Sequence, residues 1–175
     1  MLNKLAHVDY LLIDRLCQPV ADWIFQVFTS DCFRTARLCM DLSALMWILS
    51  QAHSAVMAAR RGVPGLMAFQ VALIVIGLGS IMTLRWVFER GGGNHGGRVN
   101  PLRAPMFPQR FACLLWVALQ VFQASRVPFD LVALARVLVA GFATVGVYIG
   151  ACSNRPPVRW DYRSGIWRPA EARGR

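Results

Sequence analysis

The sequence predicts an all-α integral membrane protein with about four transmembrane helices, preceded by an amphipathic N-terminal helix and followed by a basic tail. Three observations carry this. The 175-residue chain is 56% hydrophobic, above the roughly 45–50% of soluble domains. Its apolar residues are gathered in blocks, and residues 66–84 contain no charged side chain. The basic residues, all Arg except Lys4, stand at the ends of those blocks and not on one basic domain. That distribution points to anionic lipid headgroups and membrane topology, not to nucleic acid.

In residues 1–37, Leu5, Val8, Leu12, Leu16, Val20, Trp23, Ile24 and Val27 recur at helical spacing. Lys4, His7, Asp14, Arg15, Gln18, Asp22 and Gln26 mark the opposite face, so the segment reads as an amphipathic helix. It is expected at the membrane surface, against a partner, or lying on the protein's own bundle. Pro19 is expected to bend or divide it. Asp9 and Asp14 interrupt what would be the apolar core of a signal peptide, so none is expected. Ser30 and Asp31 are candidate caps for the next helix.

The first span is placed at about 40–59 and ends at Arg60-Arg61-Gly62. It is diluted by Asp41, Ser50, Gln51, His53 and Ser54; Ser43, Trp47, Ser50 and Ser54 share one face, as in a helix packed on others. The second span, about 66–84, reaches roughly 28 Å, close to the hydrocarbon thickness of a bilayer. Pro64-Gly65 opens it and Arg85-Trp86 closes it. A loop at 85–107 follows; its glycine run at 91–97 has linker composition and lacks the Gly-Lys-Ser/Thr of a phosphate-binding loop.

The third span, about 108–125, is short and carries Gln120 and Gln123. A polar turn at 126–130 leads to the last span, about 131–151. Gly146 and Gly150, with Ala143 one turn earlier, form a small-residue face that admits another helix. The tail, 153–175, sets Arg159 and Arg163 near Trp160 and Trp167, a pairing suited to the headgroup layer or to an acidic protein surface.

With these spans, fifteen Lys and Arg residues lie on the side of both termini and three, Arg60, Arg61 and Arg126, on the other; Arg136 is inside the last span. The positive-inside rule then places both termini in the cytoplasm, in a bacterial-type inner membrane. The five cysteines are expected to be free thiols there, since Cys17, Cys32 and Cys39 fall on the reducing side and Cys113 and Cys152 near it.

Polar residues inside the spans are the places to look for function. His53, Gln51 and Arg136 form the candidate intramembrane polar site. Gly146, Gly150, Ala143, Ser50 and Ser54 are the candidate helix-packing residues. No paired carboxylates, Ser-His-Asp spacing, metal-ligand spacing or dinucleotide fingerprint appears, so no catalytic residue, cofactor or metal ligand is assigned. The expectation is a non-enzymatic accessory or assembly subunit that packs against other membrane protein subunits. The alternative is a small transporter, channel or holin-like permeabilising protein, with Gln51, His53, Gln70, Gln120 and Arg136 lining a polar path. The orientation is tested by fusing a reporter enzyme that is active only outside the cytoplasm. It should stay silent at either terminus and become active in the turn near residue 62; activity at a terminus would reverse the topology.

Overall fold

A computed structural model describes residues 2–28, 30–91, 100, 102–126, 131–153, 158–161 and 166–169; for 2–6, 91, 158–161 and 166–169 only the backbone is described. The helices are α1 (Leu2–Leu12), α2 (Gln18–Phe28), α3 (Cys32–Arg60), α4 (Pro64–Gly91), α5 (Phe107–Ala124) and α6 (Leu131–Ile149). A π-helical turn, Ile13–Cys17, joins α1 to α2. In the tail, β1 (Val158–Asp161) and β2 (Ile166–Pro169) pair antiparallel, with Trp160 in register with Trp167.

Among the described residues, three helices, α3, α4 and α6, are long and apolar enough to cross a membrane. α3 and α4 are longer than the apolar blocks that announced them, and α6 fits within its own. α3 starts well before residue 40 because Asp31 caps it, accepting the Arg34 N–H at 2.5 Å. It ends at Gly62, whose φ of 68° is left-handed. There Gly62 N–H bonds to Ala59 O and Val63 N–H to Ala58 O, the Schellman pattern. Pro64 then opens α4 at its first position, where the missing N–H costs nothing. α4 continues to Gly91, through much of what reads in the sequence as the start of a loop. Of that loop, 92–99 lie outside the described residues, as do 127–130 of the turn before α6.

α4 packs on α3, α3 on α6, and α6 on α5. Neighbours run antiparallel, as the short α3–α4 turn requires. Small residues set the closest approach. A Cβ added at Gly146 would stand 2.6 Å from Met40 Cε and 3.0 Å from Cys39 Cβ, so α6 touches α3 there. One at Gly150 would enter the Phe88 ring of α4. Ser43 Oγ donates to the Val139 carbonyl at 3.0 Å, bridging the same two helices, α3 and α6. Phe33, Ala36, Met40, Ala44, Ile81, Phe88 and Val147 form the core between α3, α4 and α6.

The N-terminal segment docks on the end of this bundle through an apolar cluster, Ile13 and Ala21 against Tyr148, Ile149, Ala151 and Cys152, and through polar groups. Arg110, in the first turns of α5, is 0% exposed; its Nε contacts both carboxylate oxygens of Asp9, 5% exposed, at 3.1 Å. The Tyr148 hydroxyl donates to the same carboxylate at 2.8 Å. Gln18 and Ser153 exchange two hydrogen bonds, at 3.0 and 2.9 Å, and Asp14 pairs with Arg103 at 2.7 Å. Asn100 donates to the carbonyls of Gly150 and Cys152 beyond the end of α6, at 2.8 and 2.7 Å.

Next to Pro19, expected to bend or divide the helix, regular α-helix gives way to the π turn Ile13–Cys17, with Gln18 N–H bonded to Ile13 O, which widens the backbone where the proline ring would collide. On the expected polar face His7, Asp14, Arg15 and Gln26 are exposed and Gln18 is buried; the expected apolar face is not turned inward, since Val8, Leu16, Val20, Trp23 and Val27 are exposed as well.

Removing one partner of a buried ion pair strands the other, at about 3–5 kcal/mol. Asp9→Asn or Arg110→Met alone should lower stability by roughly that amount. Asp9→Leu combined with Arg110→Met should recover most of the loss, read by thermal unfolding in detergent.

Candidate functional site

α4 and α5 stand at the two ends of the packed row of helices and face one another across a cleft. The cleft holds two cavities. The one nearer the α3–α4 turn measures about 320 Å³ and takes residues from all four long helices. α3 supplies Trp47 and Gln51; α4 supplies Phe69, Gln70 and Leu73; α5 supplies Trp116, Gln120 and Gln123; α6 supplies Arg136. The second cavity, about 380 Å³, lies deeper along the bundle and is almost wholly apolar. Gly77, Ile81, Leu84, Ala112, Cys113 and Ala143 line it, and it shares Trp47 and Trp116 with the first.

Helical periodicity explains the convergence. Trp47 and Gln51 are four residues apart on α3, and Trp116 and Gln120 four apart on α5, so each pair shares a face. The two indoles meet edge-to-face, centroids 6.4 Å apart at 71°, and line both cavities. Trp47 lies flat against Gly77, where an added Cβ would enter the indole, and its Nε1–H donates to the Leu73 carbonyl at 3.2 Å.

The polar cavity is not satisfied from within. Gln51 is 4% exposed, and neither its amide oxygen nor that of Gln70 has a hydrogen-bond partner. Arg136 stands at the rim, exposed, and no carboxylate pairs with it among the described residues. It is five residues into α6, roughly 7–8 Å from the helix start. Asp41 is at the far end of α3 and bonds to Arg85 at 2.7 Å.

Of the polar residues singled out in the sequence, Gln51 and Arg136 come together and His53 does not. Two residues past Gln51, His53 is rotated by about 200° around the helix and is exposed on the outer side of α3. Gln70 and Gln120 join the site, and Gln123 does so unannounced. Ser50 and Ser54, placed in the sequence as packing residues, bond back to the Trp47 and Ser50 carbonyls of their own helix, both at 3.0 Å. Gly146 and Gly150 face α3 and α4, and Ala143 is buried beside the apolar cavity. Arg159, Trp160 and Trp167 fall on the tail strands, where only the backbone is described, and Arg163 lies outside the described residues.

The sequence carried a signal for this cavity that passed unread: Trp-x-x-x-Gln occurs twice, at Trp47 and at Trp116. The Asp9–Arg110 pair had no such mark.

Elsewhere, the chemistry is muted. Burial pushes the Cys17 thiol up, with the Asp9 carboxylate adding to the shift and Arg110 opposing it; burial likewise raises Cys152. Both are therefore protonated and weakly nucleophilic near neutral pH. No group of three or more His, Cys, Asp or Glu side chains is placed to hold a metal ion among the described residues. Comparison with protein-family models, with curated proteins and with solved structures finds no match to this chain.

Gly77 is the hinge of the site's packing, since Trp47 occupies the space a side chain would need. Gly77→Val should displace the indole, break its bond to Leu73 and cost about 1–3 kcal/mol as an overpacked contact. Tryptophan fluorescence and near-ultraviolet circular dichroism should shift with it. Gly79→Ala, two residues on in open space, should change neither.

Proposed function

We propose that this chain is a non-enzymatic, multi-pass membrane protein that packs against other membrane protein subunits as an accessory or assembly subunit. The observation that carries the reading is the outer face of α4. This helix has the highest mean hydropathy of the three candidate spans, 2.1, yet almost none of it is buried within the chain. On the side opposite its contact with α3, Gly65, Ala68, Ala72, Gly79 and Thr83 recur at helical spacing, and all are exposed. Nothing lies near Gly65 or Gly79, and the Thr83 hydroxyl is satisfied by the Gly79 carbonyl at 2.8 Å. Such a stripe lets a second helix approach closely, and close packing is what drives helix association in lipid. Gly146 and Gly150, engaged by Met40 and Phe88, cannot serve a partner in the same way.

In this reading α5 is the fourth span. It follows α6 along its length, with Thr144 Oγ1 bonded to the Cys113 carbonyl at 3.1 Å, Arg110 near Tyr148 at one end, and Gln123 and Arg136 sharing a cavity at the other. Both termini face the cytoplasm of a bacterial-type inner membrane. The N-terminal helices lie in the interface, with Val8, Leu16, Val20 and Trp23 turned to lipid and the basic residues near anionic headgroups. The transport alternative draws support from the polar cavity, but the polar lining stops at Trp47 and Trp116 and the next cavity is apolar. That arrangement suits binding better than conduction.

Gentle extraction of the tagged protein from its native membrane should give a large particle of defined stoichiometry. Gly79→Leu with Ala72→Leu should release the chain from that particle while leaving its own unfolding temperature unchanged. A wild-type chain that is extracted alone, as a monomer or small homo-oligomer, would overturn the reading.

A further inference from the structure

We propose that the cleft between α4 and α5 binds a single-chain acidic amphiphile, its carboxylate or phosphate held by Arg136 and the glutamine amides and its acyl chain lying in the apolar cavity. The head end is built from groups that lack partners. Arg136 brings a permanent positive charge to the rim, and its five donors match a planar or tetrahedral oxyanion. Gln51, almost fully buried, has an amide oxygen with no partner, and so does Gln70 across the cavity, so neither amide is held in its present orientation through that oxygen. A buried amide left unpaired costs free energy, and a guest that hydrogen-bonds to it recovers that cost. Because an amide can be turned, each glutamine can offer its N–H groups to an anion.

The tail end follows directly. Trp47 and Trp116 belong to both cavities, so the polar and apolar spaces adjoin. At about 320 and 380 Å³ each is of the size that small ligands fill. Their order along the bundle is also that of a lipid leaflet: the polar end is near the helix turns and the apolar end toward the middle of the spans. The opening between α4 and α5 allows a chain to enter sideways, without passing through water. An ion alone would leave the deeper cavity empty, and a neutral hydrocarbon would leave Arg136 and the amides unsatisfied. An acidic head on one acyl chain satisfies both.

The test uses the full chain in an uncharged detergent, titrated with a fatty acid brominated at mid-chain, which quenches nearby tryptophan. Saturable quenching is expected, and it should be lost when Trp47 and Trp116 are both replaced by Phe. The methyl ester of the same brominated acid should bind at least about tenfold more weakly. Arg136→Gln should weaken the acid by a similar factor and leave the ester unchanged, and Gln51→Leu should act in the same direction. Ala112→Phe, which fills the apolar cavity, should weaken acid and ester alike. Lysophosphatidic acid competing better than the fatty acid identifies a phosphate head, and the reverse a carboxylate head; either supports the site. Equal affinity for acid and ester, no effect of Arg136→Gln, or displacement by inorganic phosphate alone would overturn the proposal. Binding is read on the isolated chain, so the result stands apart from whether a partner subunit exists.

Discussion

The structure depends on one buried ion pair. Arg110 and Asp9 lie at the point where the N-terminal helices, the start of α5 and the end of α6 converge, and Tyr148 completes the contact. Such a pair contributes little net stability, because desolvating both charges offsets their attraction. Its effect is on geometry. A guanidinium removed from water must meet its carboxylate, so α5 cannot slide along α6 and the N-terminal segment cannot leave. The register fixed at this end brings Thr144 to the Cys113 carbonyl in mid-helix and Gln123 beside Arg136 at the far end. One nitrogen of Arg110 remains without a partner, so even this contact is incomplete.

The two sides of the bundle are held by opposite means. Where α3, α4 and α6 meet, Gly146, Gly150, Ala36 and Ala44 remove side chains and let backbones approach. Between α4 and α5, Trp47 and Trp116 hold the space open. In water, a bundle of this composition would close such a gap, because apolar burial favours collapse. In lipid that drive is absent, since acyl chains solvate the exposed faces as well as a neighbouring helix would. The three helices long and apolar enough to cross a membrane suit such surroundings, and there bulky aromatic spacers would be sufficient to keep the cleft open.

Much of this was legible in the sequence. The uncharged run at 66–84 and the blocks on either side announced long apolar helices because composition alone decides what can lie in hydrocarbon. Helix ends were less legible: Asp31 and the Gly62 turn moved the bounds of α3, since caps depend on a few hydrogen bonds and not on hydropathy. Faces were the hardest. Gln18 reads as surface and Val20 as core, yet the buried side holds Asp9 and Gln18 together with Ile13 and Ala21. Periodicity says which residues share a side, and only the tertiary contact says which side is in. The same limit hid the cleft. Gln51 and Arg136 were visible singly, and His53 beside them looked equivalent, but two residues on a helix are enough to put it on the other side.

The cleft's chemistry is set by what its polar groups cannot do. An amide does not titrate in the physiological range, and a guanidinium keeps its proton throughout it. Gln51, Gln70, Gln120, Gln123 and Arg136 can therefore fix and orient a negative charge, but none can take up or release a proton to drive a bond-breaking step. His53 is outside the cavity, and burial pushes the Cys17 and Cys152 thiols up. A site of this composition has constant charge and constant hydrogen-bonding capacity over the whole physiological pH range. Recognition by shape and fixed charge follows from that constancy, and so does the division of α4 itself. Its inner face, with Gly77 under Trp47, shapes the cleft, while Gly65 and Gly79 on its outer side meet nothing, so the two contacts proposed for this helix would not compete with one another.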